Sequence, residues 1–374
     1  MVKFEVEDPI FRKEELLWME AQLAAGGKTC SSFPTPDRDD ETWENEFPDS
    51  RRNDLGPEEM GRGNMITITG ERQQELYRRA DQLHRYHPVR FSPVMHQGPP
   101  VAWTEQTVIR KIAKSWVEMS IQKFDISFID NLFLAKIKEP VEQVVCFGLG
   151  RLVPLLQSGD KLYDDDPDIH MQSWDNTAVV AYLATHLRKV WGRRPRVVCQ
   201  DLQYTNACRE ALAAYKIEAI DCFGATTFTM INEKSIVVVF GEPAAPVREI
   251  VADLARPLAM WWRPRWTHEQ VDDPEHDPET WNPDSKRSLQ MLDEWYGKDI
   301  RYKTRIDTKF IGRHVWCFRG KGPRKPEDEE ESEGWYDEEG NFFYEGPKDD
   351  EEDEDEDSDS DKWDLFSDYS SDDN

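Results

Sequence analysis

Two glycines directly after an apolar run are the strongest sign of chemistry in this 374-residue chain. Val144-Val-Cys-Phe147 predicts a buried strand, and Gly148-Leu-Gly150 follows it without a spacer. In nucleotide-binding α/β folds, the first such glycine makes a tight turn and the second lets a phosphate or an adenosine approach the main chain. Val153 stands where the full fingerprint has its third glycine. The pyrophosphate form of this site is therefore not expected.

Asp201 is the acidic residue best placed to complete a cofactor site. It closes the predicted strand Arg196-Val-Val-Cys199, and a methyl-donor site uses an acidic residue at that place to hold ribose hydroxyls. An aspartate at a strand end also commonly caps the following turn. Two alternatives stay open: a cofactor-binding site made of Gly148, Gly150, Arg151 and Asp201, or a structural turn. The sequence does not identify the cofactor.

Other clusters of reactive side chains are interpreted as surface or core. Tyr163-Asp-Asp-Asp-Pro-Asp-Ile-His170 holds carboxylates and an imidazole that suit a divalent cation, but such acidic runs are normally solvated. The same interpretation applies to His268-Glu269 and to residues 272–276, where proline interrupts any regular ligand spacing. Cys146 and Cys222 lie in apolar runs, where burial disfavours the thiolate. No metal site and no catalytic residue are predicted.

The elements that must position these residues alternate between strand and helix. Four apolar segments predict strands at 144–147, 196–199, 217–223 and 235–240, and the last is the richest in β-branched residues. Thr104, Asn176 and Thr205 are predicted helix N-caps, and Gly192 is a predicted helix end. This alternation predicts an α/β fold with a Rossmann-like, mostly parallel sheet, helices on both faces and right-handed crossovers.

Composition predicts three parts of the chain. Residues 1–63 form a largely flexible segment with one short helix near residues 13–24. Residues 64–320 form the α/β domain, with its core at 104–264, and a strand-like stretch at 310–318 leaves open whether it joins the same sheet. Residues 321–374 form a disordered acidic tail: from position 326 they hold 25 Asp and Glu against two Lys, a net charge of −23 of the total −28.

The remaining net charge of −5 argues against nucleic-acid binding, which needs a concentrated basic face. The basic run Arg188-Lys-Val-Trp-Gly-Arg-Arg-Pro-Arg196 is interpreted as a helix end whose dipole favours cations, with a local basic patch as the alternative. No apolar run approaches the ~20 residues of a membrane span, and the acidic start lacks a signal core. Six scattered cysteines indicate a reducing compartment, the cytoplasm, the nucleus or both.

The tail carries aromatic residues in two places. In Glu333-Gly-Trp-Tyr-Asp-Glu-Glu-Gly-Asn-Phe-Phe-Tyr-Glu345 they flank a turn signal, which predicts a small hairpin. Beyond the carboxylate run 349–361, four large side chains follow: Trp363, Leu365, Phe366 and Tyr369. They predict a peptide that the acidic residues steer to a basic protein and the apolar side chains anchor there. A solubilising tail is the alternative.

Val145-Cys-Phe-Gly-Leu-Gly150, the strand that reaches Asp201 and the stretch 228–262 together resemble the fungal branch of the Sensitivity-to-Red-Light-Reduced (SRR-like) family. The similarity covers about residues 104–264. Arg151 stands where the family commonly has a small Ser, and Phe228-Thr-Met-Ile-Asn232 replaces an apolar-Met-Pro-His-Cys stretch, so a role of that His and Cys is not carried over. The resemblance implies a regulatory α/β protein of cytoplasm and nucleus, linked to clock, light-response or stress regulation, without an established catalytic mechanism.

Three functions follow from these features. The first is a non-catalytic regulatory protein whose acidic, aromatic tail docks on a basic partner. The second is a methyltransferase-like, cofactor-dependent enzyme that uses the Gly148 and Gly150 turn. The third is a chaperone for basic proteins that acts through the charge of its tail.

Overall fold

A computed structural model describes the following residues of the chain: 10–25, 29–31, 42–44, 62–68, 89–95, 102–122, 136–154, 167–201, 204–220, 224–241, 245–272, 284–296, 300–301, 314–320, 334–336 and 342–344. The helices are α1 (Lys13–Ala25), α2 (Glu105–Gln122), α3 (Pro167–Trp191), α4 (Asn206–Ala214), α5 (Thr226–Thr229), α6 (Val247–Leu254), α7 (His268–Asp272) and α8 (Lys286–Trp295). None of the helices within these ranges is both long and apolar enough to span a bilayer.

A seven-stranded mixed sheet forms the centre of the fold. Its strands are β5 (Gln143–Phe147), β6 (Arg196–Gln200), β7 (Ile217–Ala219), β8 (Ser235–Val239), β9 (Ala259–Trp262), β10 (Ile300–Arg301) and β11 (Val315–Phe318). Their order across the sheet is β10-β11-β9-β8-β5-β6-β7. The five strands from β9 to β7 are parallel, while β11 pairs antiparallel with β9 and β10 antiparallel with β11. The predicted α/β class and mostly parallel sheet are confirmed.

The parallel strands are buried on both faces, as their continuous apolar sequences predict. On one face, Val144 and Cys146 of β5 pack in a cluster with residues of α2, α3 and α4. On the other face, Val145 and Phe147 pack with residues of α1, α5, α6 and α8. Because successive side chains of a strand point to opposite faces, one five-residue strand contributes to both cores. Helices therefore cover the sheet from both sides.

Part of the strand-like stretch predicted at 310–318 belongs to the main sheet. β11 joins the main sheet next to β9, with Trp316 opposite Trp261 in the register. The two indole rings stack with 4.6 Å between centroids. Two-stranded hairpins lie outside this sheet: β1 (Thr29–Ser31) with β2 (Thr42–Glu44), β3 (Arg62–Ile68) with β4 (Val89–Met95), and β12 (Gly334–Tyr336) with β13 (Phe342–Tyr344). The last of these confirms the hairpin predicted in the tail.

Several local predictions of helix ends are confirmed. The side chain of Thr104 accepts a hydrogen bond from the Thr107 amide at 3.3 Å, and Thr205 accepts one from the Cys208 amide at 3.2 Å. Gly192 follows α3 with a φ of +68°, the left-handed conformation that favours glycine after a helix.

The prediction that Asn176 caps α3 is wrong. The helix begins nine residues earlier, at Pro167, so Asn176 lies in its third turn. Proline is favoured in the first turn of a helix because its missing N–H is not needed there. Residues 167–170 of the acidic segment are therefore helical.

Helix α1 packs on the domain through two buried carboxylates. Oδ2 of Asp253, in α6, accepts hydrogen bonds from the amides of Ile10 and Phe11, both at 2.9 Å. Oε1 of Glu20 accepts the amides of Ala225 and Thr226, at 2.6 and 3.0 Å, where α5 begins. Apolar side chains of α1 fill the space between these bonds: Leu16, Met19 and Leu23. The helix predicted near residues 13–24 is thus part of the packed unit.

We expect Asp253→Ala to loosen α1 at a cost of about 2 kcal/mol, because two buried amides lose their acceptor. Burial raises the pKa of Asp253, and the amides of Phe11 and Ile10 and the charge of Arg287 oppose that rise. Hydrogen exchange measured by mass spectrometry should show faster exchange across residues 10–25. Asp293→Ala is the control, since Asp293 pairs only at the surface with Arg265 and His268. Equal protection of α1 from hydrogen exchange in both variants would contradict the role of Asp253 in holding α1 on the domain.

Candidate functional site

The candidate site is the carboxyl edge of the sheet, where β5 and β8 lie side by side. From β5 the chain crosses to β6 and β7 on one side, and from β8 it crosses to β9 on the other. The two crossovers cover opposite faces, so the direction of the chain across the sheet switches between β5 and β8. In open α/β sheets, ligands bind outside the carboxyl ends of the strands at such a switch point.

The loops after β5 and β8 approach each other closely at this point. The Phe240 amide donates to the Phe147 carbonyl at 3.0 Å, one residue beyond the ladder. Gly148 and Gly241 follow with φ values of +66° and +59°. A Cβ on Gly241 would lie 3.1 Å from the Gly148 carbonyl oxygen. Both glycines are required by backbone conformation, and Gly241 also by the close contact.

Gly150 is packed under helix α3. Its φ is +88°, and a Cβ at this position would lie 2.2 Å from Oγ of Ser173. Two further α3 side chains hold the same loop: Asn176 Nδ2 donates to the Leu149 carbonyl at 3.3 Å, and Trp174 Nε1 to the Leu152 carbonyl at 3.1 Å. Protein atoms therefore occupy the space beside Gly150 where a side chain would lie.

The four predicted cofactor-binding residues lie at the ends of neighbouring strands. Gly148, Gly150 and Arg151 follow β5, and Asp201 follows β6. Arg151 and Asp201 are both half-buried. The main-chain carbonyl of Asp201 accepts the Tyr204 amide at 3.4 Å, which forms a turn after β6. Burial raises the pKa values of Cys199, Tyr204 and Cys208, and the negative charge of Asp201 adds to each rise.

Three cysteines lie buried on the face that α2, α3 and α4 cover. Cys146 and Cys199 are neighbours in the register of β5 and β6, and Cys208 lies in α4. All three are free thiols with no exposed surface. Burial raises the pKa of Cys199 to about 12 and that of Cys146 well above its usual range. Cys146 is a core residue, as predicted; Cys222 lies outside the described residues.

We expect the thiols of Cys146, Cys199 and Cys208 to resist an aromatic disulfide reagent at pH 8 until the chain unfolds. The unfolding free energy should fall above about pH 9, because the unfolded thiols then ionise while the folded Cys199 thiol keeps its proton up to about pH 12. The slope is up to about 1.4 kcal/mol per pH unit for each thiol. Peptide mapping after labelling assigns the reactive positions.

Cys199→Ala is the control for the alkaline arm of this experiment, since it removes one of the protected thiols. Its unfolding free energy should fall less steeply between pH 9 and 12 than that of the natural chain. Rapid labelling of Cys199 in the folded chain at pH 8 would show that the thiol is accessible and would contradict the assignment to the core.

A buried ion pair near this edge is not indicated by any sequence pattern. Arg248, in the first turn of α6, forms a buried ion pair with Asp284. It also donates to the carbonyls of Arg263 and Pro264, and its guanidinium lies 5.0 Å from the ring centroid of Trp262. The pair links the end of β9 to the start of α8. Three charged residues inside the otherwise apolar stretch 246–254, Arg248, Glu249 and Asp253, were the only signal, and they do not indicate a partner 36 residues away.

His314 is a second buried residue that no motif indicates. It precedes β11, and the antiparallel direction of β11 brings this start to the carboxyl edge of the parallel strands. Its ring meets that of Phe240 edge to face, with 5.2 Å between centroids. Because this contact depends on a strand 75 positions later in the chain, the local sequence could not predict it.

Other predicted sites are placed as follows. No group of three His, Cys, Asp or Glu side chains in the described ranges is arranged to hold a metal ion. Residues 163–166 lie outside those ranges, as do the four predicted anchors of the tail: Trp363, Leu365, Phe366 and Tyr369. Comparisons with protein-family models, with curated proteins and with solved structures found no match for this chain.

Proposed function

We propose that this chain is a non-catalytic regulatory protein: a Rossmann-like domain similar to the SRR-like family, with an acidic, aromatic tail that recruits a basic protein. Counted from β5, the parallel strands have the spatial order 5-4-1-2-3, which is the order of the doubly wound nucleotide-binding folds read from the other edge. The family resemblance of Val145-Cys-Phe-Gly-Leu-Gly150 rests on the strand and turn at the centre of this sheet. The proposal places the protein in the cytoplasm, the nucleus or both.

The packing of Gly150 is the observation that carries the non-catalytic part of the proposal. In a cofactor site, the missing side chain leaves room for a ligand. Here Ser173 takes that room, since its Oγ is 2.2 Å from where a Cβ would be. Asn176 further ties the loop to α3 through the Leu149 carbonyl. We infer that the glycine turn serves the packing of a helix on the sheet.

The tail supplies the interaction part of the proposal. A net charge of −23 over residues 326–374 produces a field that speeds the encounter with a basic surface. Charge alone gives little specificity, and large apolar side chains such as Trp363 and Phe366 are the residue types that anchor a docking peptide. Backbone pairing of β12 with β13 gives the tail one folded element between the domain and its most acidic part.

A methyltransferase-like enzyme remains the second candidate, because Asp201 follows β6, the strand next to β5. An acidic residue at this place holds the ribose in cofactor sites of this fold. A chaperone for basic proteins is the third, and it requires only the charge of residues 349–361. The three candidates differ in what they need: anchors, a cofactor or charge.

Thermal unfolding of the full chain with S-adenosylmethionine, nicotinamide dinucleotides or haem separates the enzyme from the other two. We expect no shift in Tm with any of them. A reproducible increase that Asp201→Asn abolishes would overturn the non-catalytic proposal in favour of the second candidate. A ligand present at 100 times its Kd stabilises by about 2.7 kcal/mol, so a real site is well within detection.

An array of Lys- and Arg-rich peptides of 15 residues separates docking from charge-driven chaperoning. The natural chain should bind a subset of the peptides, and a Trp363→Ala/Phe366→Ala variant of equal charge should lose that selection. A second variant, with the nine carboxylates of residues 349–357 changed to amides, should lose binding generally. If the double alanine variant binds as the natural chain does, charge alone acts and the chaperone hypothesis replaces docking.

A further inference from the structure

Two helices end side by side at the amino edge of the sheet, and their ends bring five cations together. Helices α3 and α4 run antiparallel to the strands they connect, so their carboxyl ends lie where β6 and β7 begin. We name this cluster the basic patch and define it by Arg188, Lys189, Arg193, Arg194 and Lys216. All but Arg194 are exposed to solvent.

Arg194 holds the two helix ends together. Its guanidinium donates to Oγ1 of Thr185 in α3 at 3.1 Å and to the carbonyl of Tyr215, after α4, at 2.9 Å. The pKa of Arg194 is lowered, first by burial and then by the nearby positive charge of Arg188. The fold therefore tolerates repulsion between cations at this place.

Other cations along the same edge are paired with acids. Arg196 forms two 2.8 Å hydrogen bonds with Glu218, and Lys234 lies 2.7 Å from Glu142. In contrast, no carboxylate among the described residues pairs with the exposed cations of the basic patch. Unlike its neighbours, the basic patch therefore keeps positive charge that no carboxylate in the described part of the chain neutralises.

The helix dipole accounts for only part of the basic patch. Arg188 and Lys189 lie in the last turn of α3, where the dipole favours cations. Arg193 and Lys216 lie beyond the helices. Lys216 also has a φ of +59°, where glycine or asparagine is less strained than lysine. Neither the dipole nor the backbone preference therefore accounts for a lysine at position 216.

We propose that the acidic segment 349–361 of this same chain docks on the basic patch. Strand β13 lies beside β10, at the opposite end of the seven-stranded sheet. Six strand spacings of about 4.8 Å put the patch roughly 29 Å away. The 17 residues from 345 to 361 span up to about 55 Å when extended. At about 3.3 Å per residue, the part of the segment from about residue 353 onward therefore reaches the patch without moving the hairpin.

This docking builds on the proposed function, because it gives the recruiting tail a resting place on its own domain. The tail would leave the basic patch only for a partner whose surface competes for the same carboxylates. Weak partners would be excluded in this way, since intramolecular docking acts at the high effective concentration of a tethered segment.

Carbodiimide coupling of the full chain tests the contact, because it joins a lysine amine to a carboxylate that touches it. At ~0.05 M salt, we expect amide links from Lys189 and Lys216 to residues 349–361, and loss of these links at ~0.5 M salt, where screening is strong. Three exposed lysines elsewhere are the references: Lys13, Lys136 and Lys138. Mass spectrometry of tryptic peptides identifies the linked residues.

Neutral variants of the patch sharpen the test while keeping the reactive lysines. Arg188→Gln/Arg193→Gln should lower the yield of links at Lys189 and Lys216 about fourfold, since each of the two exposed pairs is worth roughly a factor of two. Lys13→Gln/Lys138→Gln removes two exposed cations elsewhere and should leave the yield unchanged. Circular dichroism confirms that both variants fold.

An equal mixture of natural and nitrogen-15-labelled chains decides between one chain and two. Links within a single isotope support the proposal, whereas mixed-isotope links would assign the patch to a second copy and overturn it. Yields at Lys189 and Lys216 no higher than at the reference lysines would show a solvated patch and overturn it as well. Displacement of the tail by a 20-base-pair DNA duplex at ~0.15 M salt would also overturn the proposal, because the patch would then be a nucleic-acid surface.

The peptide array described above keeps the two proposals distinguishable. If the links fail while Trp363 and Phe366 still select peptides, docking on the basic patch is wrong and recruitment stands. If the links form and the array shows no selection, the tail is a segment that serves its own domain, and recruitment fails.

Discussion

Gly150→Val is expected to destabilise the chain by about 2–5 kcal/mol. A side chain at this position meets Oγ of Ser173 at 2.2 Å, and overpacking of this kind costs about 1–3 kcal/mol. The φ of +88° adds strain of about 1–2 kcal/mol for a residue with a Cβ, and valine is branched there. Urea unfolding should show a lower midpoint with an unchanged slope. Such a loss is a large fraction of the stability of an ordinary domain.

Gly192→Val is the matched control for this prediction. Gly192 has a similar φ of +68°, but no atom lies within 4 Å of a Cβ built there. The same substitution should therefore cost only the backbone strain, about 1–2 kcal/mol. Equal losses at the two glycines would show that Ser173 does not press on the turn, and the argument for a filled site would fail.

A double variant isolates the contact further. Gly150→Ala combined with Ser173→Gly removes the clashing hydroxyl while keeping the added methyl group. We expect the pair to cost at least about 1 kcal/mol less than the sum of the two single changes, as contacting residues do. Additive losses would mean that the strain arises elsewhere in the loop.

Arg248→Met is expected to cost about 3–5 kcal/mol, because it leaves the carboxylate of Asp284 buried without its cation. Both side chains are almost fully buried, with 3% and 0% of their surface exposed. Asp284 keeps two donors, the Trp266 amide at 2.8 Å and Ser288 Oγ at 3.1 Å, and neither carries a charge. Denaturant unfolding measures the loss. Hydrogen exchange should locate it at the end of β9 and the start of α8.

Arg196→Met tests the same chemistry at the surface. Arg196 makes two good hydrogen bonds with Glu218, but both side chains are about half exposed. An exposed ion pair contributes at most about 1 kcal/mol, so the loss should be several times smaller. Similar losses for the two arginines would show that burial does not govern the Arg248 pair.

The strands and several helix ends could be predicted because their signals are local. Ser235-Ile-Val-Val-Val-Phe240 holds four β-branched residues in a row, which suits a strand buried on both faces, and β8 lies there. Thr104 and Thr205 cap helices through bonds to amides three residues later. A cap needs only its neighbours in the chain, and so the residue type at one position is informative.

The error at Asn176 shows where local signals stop. Asparagine is a frequent N-cap, yet this one lies inside α3 and bonds to a carbonyl 27 residues earlier. A polar residue that serves a distant loop looks the same in the sequence as one that serves its own helix. The start at Pro167 was hidden in an acidic stretch that has the composition of a surface loop.

By itself, the sequence determined the α/β class, the strands from β5 to β8, and the concentration of charge in residues 326–374. These depend on composition and on periodicity over a few residues. Only the tertiary structure decided what fills the turn at Gly150, which acid faces Arg248 and how the helix ends assemble a basic patch. Such contacts join residues tens of positions apart in the chain. Many chemically equivalent partners exist in the sequence, and only the packing of the whole chain decides which of them come together.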